Sequence, residues 1–341
     1  LIAQHRSDIE LFEELTEFQL SKGLTHGERA ISPFLRPYFL EASRYRAIQQ
    51  AAWELSAAFE ALTKAALEYP EVMALLGLTE DEERFARYET GYRTVSLTSR
   101  LDTFLSSDGF KFLEYNAETP AGVGDQSVFA DIFDRIPLVR QFLSRNPHFV
   151  PGPHAKLLEA MLAAYREFGG RAVKPNIAIV DWAGVDTSAE FEILAEYFDS
   201  KGHRTLICDP GELEYTDDKL HVGTFEIDIF YKRMIIHEFL ERSEEGHPLR
   251  KALADGNVCM INSFRSKIPH KKAGFAVLSD EKYHRLFTPQ QIESIRAHIP
   301  WTRIVEDAET DHLGREIDLL EFVRDERFRF ILKPNDDYGG K

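Results

Sequence analysis

The chain has 341 residues, 43% of them hydrophobic, which is enough for two or three cores because a single core stops growing at about 250–300 residues. Its net charge of −16 sets an acidic surface against nucleic acid and anionic membrane faces, so neither is expected as a partner. No run of about 18 apolar residues is present to span a bilayer, and no charged-then-apolar leader precedes the first helical stretch, which reads as a cytosolic multidomain protein.

Residues 1–95 are helical in pattern, and a start at Leu1 without methionine reads as trimmed. Ile48, Ala52, Leu55, Phe59, Leu62 and Ala66 fall at alternating spacings of four and three, so they share one face of a long helix and belong to a core. In "LTEDEERF" Thr79 is a candidate N-cap, with Glu80–Glu83 in the first turn where the helix dipole favours acids; the acidic run reads as a solvated helix end.

From about Leu97 the pattern changes to strand, turn, strand. "RLDTFL" and "FKFLEYNA" flank "SSDG", which predicts a β-hairpin closing around Ser107 and Asp108, with Gly109 free to take positive φ. Strand alternation puts Arg100 with Asp102 on one face, and Glu114 with Asn116 on one face. Two readings follow. Either this is an edge hairpin whose polar face meets water while Arg100 and Asp102 pair, or three hard oxygen donors and a guanidinium converge as a Mg2+ and phosphate site. The next stretch, "AGVGDQS", has Gly122 and Gly124 but lacks the third glycine and the βαβ setting of a dinucleotide fingerprint, and reads as a flexible loop.

Residues 173–262 predict a separate α/β unit. "PNIAIVDW", "HRTLICDP" and "FEIDIFYKR" are strands, and "SAEFEILAEYFDSKG" is an amphipathic helix ending at Gly202, an order that implies a parallel sheet. Asp181, Asp209 and Arg233 stand at strand ends, where open α/β sheets bind ligands, although each also has a structural reading. Cys208 and Cys259 lie in apolar runs and read as buried packing residues. His237 and Glu238 do not form a zinc helix, because Glu241 occupies the second histidine position, and no zinc is expected.

The final segment, "RFRFILKPNDDYGGK", predicts a strand delivering Lys333 and then a loop with Gly339, Gly340 and Lys341, where backbone N–H groups can approach phosphate oxygens. It is not a Walker A loop, since the lysine precedes the glycines; a plain glycine turn is the alternative.

Taken together, "RLD", "FLEYNAETPAG", "NSFRSKIPHKKAGFAVLSDE" and "LKPNDDYGGK" resemble the circularly permuted ATP-grasp proteins, the glutathionylspermidine synthase-like group among them, over about Leu97–Lys341. The resemblance implies an α/β (α+β) ATP-grasp fold with four regions. These are a helical region 1–95, a permuted segment with metal ligands 96–172, a pre-ATP-grasp α/β domain 173–262 and a nucleotide-lysine lobe 263–341, incomplete where the chain stops inside the glycine loop. It implies ATP and Mg2+ as cofactors. Arg100 would contact phosphate, Asp102, Glu114 and Asn116 would hold magnesium, and Lys272, Lys333, Gly339, Gly340 and Lys341 would hold nucleotide, with Lys271 a near-equal candidate to Lys272. Thr119 resembles a substrate-contacting position. The implied reaction joins a peptide-like carboxylate to an amine through an acyl phosphate. A nucleotide-binding module without ligase activity and an ATP-grasp phosphotransferase are the alternatives.

Overall fold

The computed structural model describes residues 5–27, 29–34 and 36–336. The chain divides into two compact units whose segments interleave. One comprises the residues up to Phe39, Glu89–Arg93 and Thr119–Asn262, the other Leu40–Tyr88, Thr94–Glu118 and the residues from Ser263 onward. The N-terminal helical stretch is thereby shared between them, since helix His5–Ser21 belongs to the first and helix Ala42–Glu68 to the second.

The first unit is built on a parallel four-stranded sheet in the order Met260–Ile261, Ile229–Lys232, Ile177–Val180, Thr205–Cys208. The two central strands are buried along their whole length, as strands covered on both faces must be, which is why they read as unbroken apolar runs. Helix Ser188–Ser200 makes the crossover from Ile177–Val180 to Thr205–Cys208, and the chain leaves it through Gly202 at φ +84°. Cys208 and Cys259 are buried, and burial pushes both thiols up to about 12, so they are packing residues as the sequence indicates. Helix His5–Ser21 packs Leu15 with Leu24, Ile132 and Ile136 in a smaller cluster of the same unit.

The second unit is organised around helix Ala42–Glu68. The predicted stripe is its inner face: Leu55, Phe59, Leu62 and Ala66 are fully buried, and Ile48 and Ala52 pack at the margin. Phe59 stacks on Tyr115 at 4.3 Å and meets Phe275 at 5.3 Å, which ties the helix to the hairpin strand and to helix Ala273–Ser279. The hairpin pairs Arg100–Leu105 with Phe110–Asn116 in the expected antiparallel register, Arg100 opposite Asn116 and Asp102 opposite Glu114. Its turn closes with Ser106 N–H donating to the Gly109 carbonyl at 2.9 Å, and Gly109 does not need positive φ.

The strand expected to deliver Lys333 does not form among the described residues. Arg327–Arg329 form a 3-10 turn and Phe330–Lys333 are irregular, with Phe328, Ile331 and Leu332 at least 79% exposed. The residue types favour a strand, but strand propensity expresses itself only against a neighbouring strand, and none runs alongside among the described residues. Among those residues no helix is long and apolar enough to cross a membrane.

Phe59 links three elements through one aromatic cluster, so Phe59→Ala is expected to destabilise the second unit by about 3–5 kcal/mol, read as a lowered midpoint in chemical denaturation; a loss under about 1 kcal/mol would show that the cluster repacks.

Candidate active site

Two charged clusters lie side by side in the second unit. The first is dry. Lys267, in helix Lys267–His270, has a side chain with no exposed surface, and its ammonium lies 3.1 Å from Glu118 Oε2, 2.8 Å from Asp336 Oδ2 and 3.5 Å from Glu82 Oε1. Lys271 adds a second ammonium 2.9 Å from Glu82 Oε2 and 2.6 Å from Asp336 Oδ2. Burial alone would pull Lys267 down, but Glu118 and Asp336 outweigh it and hold its pKa above the usual lysine range. Burial likewise pushes Asp336 up, and Lys267 and Lys271 reverse this, leaving its carboxyl well below the ordinary aspartate value. His270 stands 3.9 Å from Glu118 and 3.8 Å from Asp336, and burial keeps its pKa lowered even though both carboxylates pull it upward.

Glu82 corrects the sequence reading of its helix. Thr79 caps helix Glu80–Ala86 through a capping box, its hydroxyl accepting from Glu82 N–H while Glu82 Oε2 accepts from Thr79 N–H at 2.9 Å. The same Glu82 side chain is 2% exposed and faces two lysines, so this end of the acidic run is built into the interior.

The second cluster is half-exposed and holds the hairpin residues. A bulge shifts the register between Asp102 and Thr103, leaving Leu113 as the extra residue on the second strand. The bulge lets Phe112 and Tyr115 both enter the core while Glu114 and Asn116 stay on the opposite face; without it Phe112 and Glu114 would share a side. Glu114 Oε1 lies 3.2 Å from Lys272 Nζ and Oε2 lies 3.6 Å from Lys333 Nζ. Lys333 also donates at 3.2 Å to the carbonyl of Leu113, the bulged residue. Asp102 accepts from Arg100 Nε at 2.8 Å, the pairing expected of an edge hairpin. Asn116 Nδ2 is buried with no hydrogen-bond partner among the described residues.

Asn335 fastens the segment that brings Lys333 in. Its carbonyl accepts from Lys272 N–H at 3.0 Å, its side-chain oxygen from Ala273 N–H at 2.8 Å, and its Nδ2 donates to Leu76 O at 2.8 Å. The structure therefore gathers Arg100, Asp102, Glu114, Asn116, Lys272 and Lys333 in one unit. It also separates the two neighbouring lysines, Lys271 turning into the dry cluster and Lys272 to Glu114. Thr119 opens the next segment of the other unit. Gly339, Gly340 and Lys341 lie outside the described residues. The sequence reading missed Lys267, Glu118, Asp336 and Asn335; the paired acid in "KPNDD" was the only local signal for the latter two neighbours.

The hairpin donors suit magnesium. Two carboxylates and an amide are hard oxygen ligands of the kind Mg2+ shares with phosphate and water. Among the described residues no group of three or more His, Cys, Asp or Glu side chains could hold a metal unaided, so an ion here would take part of its shell from phosphate.

In the first unit the strand-end residues are occupied by local structure. Arg233 pairs with Glu190 at 3.2 Å, both nearly inaccessible, and donates to Pro120 O at 2.6 Å. Gly122 and Gly124 each donate N–H to Glu190 Oε1 at 3.0 Å, so this glycine turn, with Gly122 at φ +98°, wraps a carboxylate of the protein itself. Asp209 caps the turn Pro210–Glu212 and accepts from Ala183 N–H. Asp181 accepts from Trp182 N–H, and burial raises its pKa to about 6.

Lys267→Met leaves three converging carboxylates without their central cation, and a loss on the order of 3 kcal/mol is expected near neutral pH. A depressed aspartate contributes stability that is complete above its unfolded pKa of about 3.9 and is lost as pH falls through its folded value. The gap between wild type and variant, followed by urea unfolding against pH, therefore stays level above about pH 5 and narrows below about pH 4; a gap that widens on acidification would overturn this account of Asp336.

No protein-family model matches the chain, and no curated protein matches it in sequence. Among solved structures its fold matches that of a glutathione synthetase-like effector from Globodera pallida in the apo form, with a TM-score of 0.56 at 14% identity over 86% of this chain and 70% of that one. What the two share is a fold, and in this chain that fold is mixed α/β.

Proposed function

We propose that the chain carries the nucleotide site of a circularly permuted ATP-grasp ligase that joins a peptide-like carboxylate to an amine. The observation that carries the reading is the meeting of Lys272 and Lys333, far apart in sequence, at the two oxygens of Glu114, directly across the hairpin from Asp102. Hard anionic ligands and two ammonium groups at one place suit a metal-bound polyphosphate. The fold shared with a glutathione synthetase-like effector supports the ligase class.

In this reading Asp102, Glu114 and Asn116 would hold Mg2+, which when bound would neutralise phosphoryl oxygens. Arg100, Lys272 and Lys333 bind the phosphate chain. Gly339, Gly340 and Lys341 complete the phosphate contacts, Thr119 touches substrate, and residues 173–262 are the pre-ATP-grasp domain. The substrate carboxylate attacks the γ-phosphorus, the bond to ADP breaks, and the amine nitrogen then displaces phosphate from the acyl carbon. The protein's share is placement: it holds two charged reactants in line and offsets the charge that develops on the transferred phosphoryl group.

The test is phosphate release by the protein given ATP, Mg2+ and a peptide bearing a free carboxylate, with and without a primary amine. Release that depends on both acid and amine is expected, and Glu114→Ala should lower it on the order of 100-fold while cooperative thermal unfolding is retained. Release unchanged in Glu114→Ala refutes the site, and a phosphorylated product formed with no need of amine would make the protein a phosphotransferase.

A further inference from the structure

Resting on the nucleotide-site reading, we infer that Glu114 and Asp102 are internal stand-ins for phosphate: the nucleotide chain binds by taking the cations away from these carboxylates, and only then are the carboxylates released to a metal ion. Each candidate metal ligand that carries charge is already paired with a candidate phosphate ligand. Asp102 holds Arg100 at 2.8 Å, and Glu114 holds Lys272 at 3.2 Å and Lys333 at 3.6 Å. The pairs are also poised to exchange. Side-chain exposures of 49%, 42% and 38% leave Arg100, Asp102 and Lys333 open to an incoming ligand, with Glu114 at 20% and Lys272 at 13% partly open, whereas Lys267 and Glu118 at 0% and 2% are sealed.

Charge fixes the order of events. A bare divalent cation finds both carboxylates already held by cations, whereas a polyanion finds three cationic side chains held by only two single charges. A triphosphate offers the three cations more negative charge than Asp102 and Glu114 do, so its arrival redistributes the pairs. Once the cations have moved, two uncompensated carboxylates face the phosphates with Asn116 beside them, and the site changes from one that rejects a divalent cation to one that needs it. Metal and nucleotide thus bind with strong mutual dependence, and Glu114 competes with nucleotide whenever metal is absent.

The competition has an outcome opposite to that of an ordinary metal-ligand variant. Calorimetry in chelator, with inorganic tripolyphosphate and with ATP as the probes, should show Glu114→Gln binding both about three- to tenfold tighter than the wild type, because the charge of Glu114 no longer competes for two ammonium groups. With Mg2+ present the order should reverse, the variant binding ATP more weakly than the wild type. Manganese alone, followed by electron paramagnetic resonance, should leave the wild type unbound, whereas Lys272→Met/Lys333→Met should bind it without nucleotide. Wild type that binds Mg2+-ATP while Glu114→Gln binds metal-free triphosphate more weakly would overturn this inference and leave the nucleotide site standing. Wild type that binds neither probe under any condition would overturn both.

Discussion

The second unit depends on a lysine that never meets water. Taking an ammonium group out of solvent costs several kcal/mol even after the surroundings relax, and Lys267 is tolerable only because Glu118, Asp336 and Glu82 all reach it. These carboxylates come from a helix N-terminus, from the chain just past the hairpin and from the segment near residue 336. The fold therefore cannot satisfy this one charge without bringing distant parts of the chain to one point. Replacing such a network by apolar side chains is often neutral for stability; what it supplies here is selection, since any alternative packing strands a buried charge.

That selection places the half-exposed cluster beside it. Lys271 and Lys272 are adjacent in sequence, yet Lys271 is drawn inward by Glu82 and Asp336 while Lys272 is left to face Glu114. Asn335 sits next to Asp336, and its hydrogen bonds to Lys272, Ala273 and Leu76 hold the same stretch from the backbone side. Lys333, two residues earlier, is positioned by this double clasp together with the carbonyl exposed at the hairpin bulge. The dry network and the accessible site are thus consecutive residues put to different uses.

Much of this was legible where the physics is local. Helical spacing identified the inner face of Ala42–Glu68, alternation identified the hairpin and its facing residues, and unbroken apolar runs identified the parallel strands. The N-cap was readable from Thr79, but the burial of Glu82 was not, because an acid in the first turn of an acid-rich helix has the same local pattern whether it meets water or a lysine far along the chain. The bulge at Leu113 follows from the need to bury both Phe112 and Tyr115, a requirement set by the core and absent from the strand's own alternation. Phe330–Lys333 has the residues of a strand, and no strand pairs with it among the described residues.

Saturation separates structural charge from charge available for chemistry, and both units show it. Glu190 receives two glycine N–H groups and Arg233, so its lone pairs are committed and the glycine turn around it has no remaining appetite for an anion. Lys267 is committed in the same way. An incoming ligand would have to displace bonds that the interior cannot replace. Glu114 is less tightly held: its two ammonium partners stand at 3.2 and 3.6 Å, and Lys333 is 38% exposed. A glycine-rich turn or a buried ion pair is therefore poor grounds for assigning a site in this protein, whereas a loosely paired carboxylate with two separable cations is the arrangement that can release charge to a ligand.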